Sequence, residues 1–408
     1  MKLAWIPRTA PVVATAPVVV PCVPRLPTQR RLGHTEGMPL RGVVSTLVVL
    51  LAVITGCSAG GGPSIVTAPD WMKVDLPDNT TLGRLSTDGY SVIAGGRRGS
   101  GPFVGVIDDD QLRPVRLVPR SPYAKTAEIV SLARSGDQLV ALGNVHGGAH
   151  GNSRWTVWRG STDRILEQPQ SLGTFGGTDG GDLVEIMINS SGPMIIGSRR
   201  FDDDGLDPAG WLPEGDRWRL QPSAGTALDG TATEQKSVRT GLARTDRMIL
   251  VGSTLELTGA PRQQAAGWVR TGSWEQFTLP DSGERSEATA IACAPPGPRQ
   301  PQCMITGSDR DRLAGWWLSD DVGEQITDLP DAAVSATGPP ARPMITAELA
   351  GVAYQTDTGA ALAMDTGAGW QRLDAPSGDL IDAVAVGPSA YLLMEHNGSR
   401  RLWRAIVG

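Results

Sequence analysis

The sequence predicts an all-β chain, a seven-bladed β-propeller, and three observations carry that expectation. Seven strand-like segments, most of them bearing a tryptophan, end in proline at Pro77, Pro119, Pro169, Pro222, Pro280, Pro330 and Pro376. Their interval is about 50 residues, the period at which four-stranded sheets repeat around a propeller axis. The composition agrees: 51 Gly and 31 Pro punctuate runs of alternating Val, Ile, Leu and Thr, a pattern of short strands and tight turns with no convincing amphipathic helix. Finally, the chain stops one strand short of a last unit, while a spare strand, WMKVDLP, stands before the first.

In chain order, Trp71 to Pro77 is that spare outer strand. Leu82 to Pro119 and Glu128 to Pro169 are weaker copies of the unit, each with three strands running outward and a fourth ending at proline. Asp182 to Pro222 is clear, reading LVEIMIN, PMIIGS, AGWLPE and RWRLQP. Ser237 to Pro280 reads SVRTGLA, RMILVG, AGWVRT and WEQFTLP, and Glu287 to Pro330 reads EATAIAC, CMITGS, AGWWLS and EQITDLP. AGW recurs at one place in all three. Gly210, Gly267 and Gly315 let the third strand approach its neighbour, and Trp211, Trp268 and Trp316 supply apolar area between sheets. Ile345 to Pro376 is a further weak copy, and LIDAVAV, AYLLMEH and RRLWRAIVG end the chain. Pairing the spare strand with this last blade would remove two open sheet edges and close the ring. A weak unit split wrongly would change the count to six or eight blades, and a β-sandwich is the competing architecture.

Upstream, Val43 to Ile54 is twelve uncharged residues, preceded by Met38 and Arg41. That is the layout of an export signal and is short of the roughly 20 apolar residues a membrane span needs. Ile54, Thr55, Gly56 and Cys57 resemble the lipobox of bacterial lipoproteins. The resemblance implies a diacylglyceryl group on the Cys57 thiol and cleavage before it, leaving Cys57 as the new, acylated N-terminus with chains such as palmitate, and two or three acyl chains anchor durably. The expected organisation is a disordered leader or over-extended start at 1–37, a lipoprotein signal peptide at 38–56, a lipidated tether at 57–69 and the propeller at 70–408. The protein is then placed on the extracytoplasmic face of the cell membrane. Beyond the signal, 31 basic residues face 42 acidic ones, a formal net charge of −11. Such a surface opposes binding to phosphate backbones, so nucleic acid is not an expected partner.

Two turns carry a family resemblance. SDDVGEQI (Ser319 to Ile326) and AMDTGAGW (Ala363 to Trp370) each depart at one position from SxDxGxxW. They resemble the Asp-box, or BNR, hairpins of sialidase-like propellers, and the chain is similar to divergent BNR-like lipoproteins of actinobacterial type. The resemblance implies that Asp321 and Asp365 tie their turns, with an aromatic packed beneath. It does not transfer activity. The Arg-Ile-Pro-like element of a sialidase is missing, and Tyr90, Tyr123, Tyr354 and Tyr391 suit packing as well as chemistry.

Candidate site residues fall in loops. Cys293 and Cys303 flank PPGPRQPQ in a hairpin between first and second strands and, in an exported protein, are expected to form a disulfide. His146 and His150 lie in a Gly-rich loop after a second strand, and Asp202 to Asp204 lie in the matching loop of the next blade. The His spacing has meaning only on a helix, and DDDGLD lacks the full spacing of a calcium loop, so neither metal nor other cofactor is expected. Arg97, Arg98, Arg199, Arg200, Arg310 and Arg312 also follow second strands. Together with His146, His150, Asp202 and Asp204 they predict a mixed polar rim suited to an acidic glycan, a peptide carboxylate or a protein surface. No motif assembles a catalytic set. The function expected is a monomeric, non-catalytic binding or scaffolding lipoprotein whose partner is an envelope protein or a cell-wall glycan. The alternative is a sialidase-like glycoside hydrolase with a degenerate site.

Overall fold

A computed structural model of the protein describes residues 69–108, 111–147, 152–201, 205–280, 283–295, 303–334 and 338–407. The leader, the signal segment, Cys57, His150, Asp202 and Asp204 lie outside the described residues. The described chain is a seven-bladed β-propeller, with six four-stranded sheets and one of five strands. The inner strands are Thr80–Thr87, Glu128–Ser135, Gly180–Asn189, Glu234–Ala243, Ser286–Cys293, Arg342–Ile345 and Asp379–Val386, for blades one to seven. Each contacts the inner strand of the next blade, and blade seven returns to blade one. The only helix among the described residues is the single turn Leu172–Phe175.

A blade packs on two neighbours, so both faces of its sheet must be apolar, and the cores follow that rule. Seven buried clusters occupy the seven gaps between neighbouring blades. Trp158, Trp211, Trp268 and Trp316 are the largest fully buried side chains. Three of their indoles also find a polar partner: Trp211 Nε1 donates to Thr174 O at 2.9 Å, Trp268 to Ala227 O at 3.0 Å and Trp316 to Pro280 O at 3.0 Å. Each acceptor lies in the segment linking the preceding blade to the tryptophan's own. The AGW repeat therefore fastens successive blades by area and by one hydrogen bond apiece.

The ring closes as the spare strand requires. Met72–Val74 pairs antiparallel with Ser399–Ile406, with Met72 opposite Arg404 and Val74 opposite Leu402. Val74 joins Leu82, Tyr391, Leu393 and Leu402 in one cluster, so the closing interface is packed like the other six. Trp71 Nε1 donates to Asp374 O of blade six at 3.1 Å.

Two details differ from the sequence reading. Blade one's outer strand, Gln111–Pro114, ends early, and Arg116–Val118 crosses to pair in parallel with Arg164–Gln168 of blade two. Val115 N makes the last bond to blade one, to Val104 O at 2.9 Å, and Arg116 N then finds Asp163 O at 3.1 Å. Blade six begins at Arg342, three residues before the Ile345 expected, because Pro343 lies inside its short inner strand and hides it.

Candidate functional site

Six of the seven inner strands carry a one-residue bulge at the same offset. The extra residues are Gly83, Val130, Val184, Arg239, Thr289 and Ile381. A bulge re-aims the following side chain and tightens the local twist. The residues that follow are Arg84, Ser131, Glu185, Thr240, Ala290 and Asp382, and blade six contributes Arg342, the first residue of its inner strand. The bulge also crowds the second strand. A Cβ on Gly252 or Gly307 would run into the carbonyl oxygen of Ser237 or Glu287, so the recurrent Gly-Ser of LVGS and ITGS marks this offset.

These residues meet across the axis. Arg84 Nη2 donates to Glu185 Oε2 at 2.6 Å, spanning blades one and three. Glu185 also accepts from Ser131 Oγ of blade two and, at 2.8 Å, from Thr240 Oγ1 of blade four. Asp382 of blade seven faces Arg342 Nε at 2.8 Å and Arg84 Nε at 3.8 Å, and accepts from Leu85 N at 2.7 Å and Ala383 N at 3.0 Å. One ionic network thus links every blade but the fifth, where Ala290 occupies the position. Its carboxylates are almost fully enclosed, with Glu185 5 % and Asp382 2 % exposed. Burial acts against the charge on Arg84, but Glu185 and then Asp382 outweigh it and hold its pKa above the ordinary value. Arg342 is held below the ordinary value by burial, with the like charge of Arg84 adding to it and Asp382 opposing.

Beyond this network lies a cavity of about 660 Å³, bordered by all seven inner strands and by the hairpins that leave them. That volume is in the range of small-molecule sites. Arg84, Glu185, Arg342 and Asp382 lie at its closed end. Its wall is about equally polar and apolar, the apolar part including half-buried Ala133, Leu242, Ala243, Ile291, Ala292 and Val384. Its mouth holds Asp88, Tyr90, Arg134, Asn189, Arg244 and Pro295. Tyr90 is 79 % exposed, the most of any large apolar side chain described. Arg134 pairs with Asp88 at 3.4 Å and donates to Ser91 Oγ at 2.6 Å.

Cys293 and Cys303 are disulfide-bonded and stand directly opposite each other in the first hairpin of blade five. The bond bears on the mouth, since Cys293, Ala294 and Pro295 border it. Arg244 Nη1 of blade four donates to Ala294 O at 3.1 Å. Pro295 reaches far enough to pack on Gly89 of blade one, which has φ +91°.

The described residues of the expected polar rim lie away from this cavity. Arg97, Arg98, His146, Arg199, Arg200, Arg310 and Arg312 all sit where second strands turn into third strands, on the face opposite the cavity mouth. None borders the cavity. Several are engaged locally: Arg98 Nε donates to Asp78 O at 3.3 Å, Arg199 lies 4.0 Å from Asp179, and Arg312 pairs with Asp331. The axial network and Arg244 are the residues that sequence reasoning missed. Their signal is visible in retrospect as a lone polar residue at one offset inside otherwise apolar strands: LGRL, IVSL, LVEI and LIDA. At the two turns resembling Asp-boxes, Asp365 Oδ1 accepts from Gly367 N at 2.8 Å, which ties that turn. Asp321 instead pairs with Arg247 of the neighbouring blade at 2.8 Å, and Asp320 and Asp321, with φ of 48° and 64°, form a two-residue hairpin turn.

No family model matches the chain, and no curated protein matches it. Solved structures do. The β-propeller domain of the Trilobed protease from Pyrococcus furiosus aligns at a TM-score of 0.49 and 10% identity, over 79% of this chain and 94% of that one. The Cps50 (Swd1) propeller domain of Myceliophteria thermophila aligns at 0.47 and 13%, over 83% and 100%. Trypanosoma rangeli sialidase aligns at 0.42 and 8%, over 74% of this chain and 57% of the sialidase. It is the strand order of the seven sheets and the closure of the ring, and not these likenesses, that make this chain a β-propeller.

Proposed function

We infer that the chain is a membrane-tethered, extracytoplasmic binding module that holds an envelope ligand at the axial cavity, on the hairpin face. One observation carries the reading. All seven blades contribute to a single cavity, and the charged groups at its closed end are committed to one another, Arg84 to Glu185 and Arg342 to Asp382. The cavity thus presents shape and a mixed polar and apolar wall to a ligand, with its acids already paired.

In this reading residues 38–56 direct export, Cys57 carries the acyl chains and 57–69 is the tether. The ring acts as a monomer toward an envelope protein or a cell-wall glycan. Direction of entry supports the cavity face. Met72 pairs with Arg404 near the end of the last strand, at the same face as the first-to-second-strand hairpins. Distant kinship with BNR-like lipoproteins agrees with the tied turn at Asp365.

The test is photo-crosslinking in membranes, with a benzophenone amino acid placed at Tyr90 beside the mouth or at His146 on the opposite face. Adducts are expected from position 90 and not from 146. The reverse pattern would move the binding face to the second-to-third-strand loops. Turnover of fluorogenic glycosides by the purified full chain would replace the reading with an enzymatic one.

A further inference from the structure

Seven charged side chains border the axial cavity: Arg84, Asp88, Arg134, Glu185, Arg244, Arg342 and Asp382. Three pairs account for six of them, Arg84 with Glu185, Arg342 with Asp382 and Arg134 with Asp88, at 2.6, 2.8 and 3.4 Å. Arg244 is the remainder. Among the described residues no carboxylate comes within ion-pair distance of its guanidinium. The neighbouring hairpin tip, 296–302, contains no acidic residue in its sequence. Two Nη1 contacts, to Ala294 O at 3.1 Å and to Cys303 Sγ at 3.9 Å, orient the group at the mouth.

A half-buried cation without a carboxylate partner is costly unless something neutralises it. Burial and the charge of Arg247 both act against Arg244, with Asp246 opposing. Beside it, half-buried Leu242 and Ala243 of blade four and Ile291 and Ala292 of blade five border the cavity and supply apolar surface next to the mouth. A ligand complementary to this layout has an apolar body and one negative charge at its outer end. We propose that the axial cavity binds an anionic amphiphile, its tail along Leu242, Ile291 and Val384 and its carboxylate or phosphate on Arg244. This rests on the cavity being the binding site.

The full chain is irradiated with a ten-carbon carboxylate bearing a diazirine on its tail, and the labelled peptides are mapped by mass. Label is expected in 240–245, 286–295 and 379–386. Decanoate should compete, and decanol about 10-fold more weakly, the scale of one charge-assisted hydrogen bond. Shortening decanoate to octanoate should weaken competition on the order of 10-fold for two methylenes. Arg244→Gln should remove the advantage of decanoate over decanol, and Arg244→Lys should restore much of it. A short-chain phosphatidylglycerol run beside decanoate separates a lipid headgroup from a free carboxylate.

Label scattered over the surface, equal competition by decanoate and decanol, or an Arg244→Gln protein that keeps the preference would each overturn the proposal. Crosslinks from position 90 that persist in Arg244→Gln would show that the binding face stands while the amphiphile does not. Loss of both would remove the cavity reading itself.

Discussion

Asp382→Ala tests the axial network most directly. The substitution leaves Arg342 without the carboxylate 2.8 Å from its Nε, takes the 3.8 Å partner from Arg84, and removes the acceptor of Leu85 N at 2.7 Å. Two enclosed guanidiniums would then face Glu185 alone, at a site where the lost carboxylate is only 2 % exposed. Breaking a buried pair from one side costs about 3–5 kcal/mol, because the surviving charge remains desolvated. With an unfolding entropy of about 2.1 cal/mol/K per residue over about 340 residues, that loss lowers Tm by about 4–7 °C. Urea denaturation of the full chain, followed by tryptophan fluorescence, reads it out. Asp108→Ala is the internal control. Its partner Arg113 is 63 % exposed and the carboxylate 45 %, so the change should be under about 1 kcal/mol. The double variant Arg342→Met/Asp382→Leu, which removes charge from both sides, should recover part of the loss. If Asp382→Ala falls within about 1 kcal/mol of the control, the network is solvated and does not tie the blades.

Three further outcomes follow from local geometry. Tyr354 is fully buried in the blade five to six core, and its hydroxyl has no hydrogen-bond partner among the described residues. Tyr354→Phe should therefore raise stability by about 1 kcal/mol in denaturant melts, and a loss of that size would reveal a partner for the hydroxyl. Burial raises the pKa of this phenol above 10.0, with Arg372 opposing. The folded state then keeps a proton that the unfolded chain releases, so its contribution is complete below about pH 10 and is lost as pH rises toward the folded value; the variant should lack that alkaline decline. Gly252→Ala forces a Cβ against Ser237 O at the bulge and should cost about 1–3 kcal/mol, visible as a lower urea midpoint, whereas Gly136→Ala, with open space around it, should act only through its φ of +57°. Removing the Cys293–Cys303 bond by double substitution to Ser should cost about 2–3 kcal/mol, since the closed loop spans 10 residues; an unchanged midpoint under reducing and oxidising conditions would contradict this.

What the chain declares locally is its architecture. Strand alternation, a proline after each outer strand and the AGW packing unit all act within about fifty residues, and a strand missing at one end and spare at the other implies a closed ring. The cysteine pair is legible for the same reason, because its hairpin brings neighbouring strands into register. The candidate site is different. Arg84 lies 101 residues from Glu185, its partner in the axial network, and nothing in any one strand says that a lone polar residue there will meet another. A one-residue bulge decides which side chain turns to the axis, Pro343 conceals Arg342, and only closure of the ring determines that the cavity opens on the hairpin face. Loop residues such as Arg97, His146 and Arg310 attract notice because they are polar and exposed. The axial residues are masked inside apolar strands, and their chemistry exists only once seven separate strands converge.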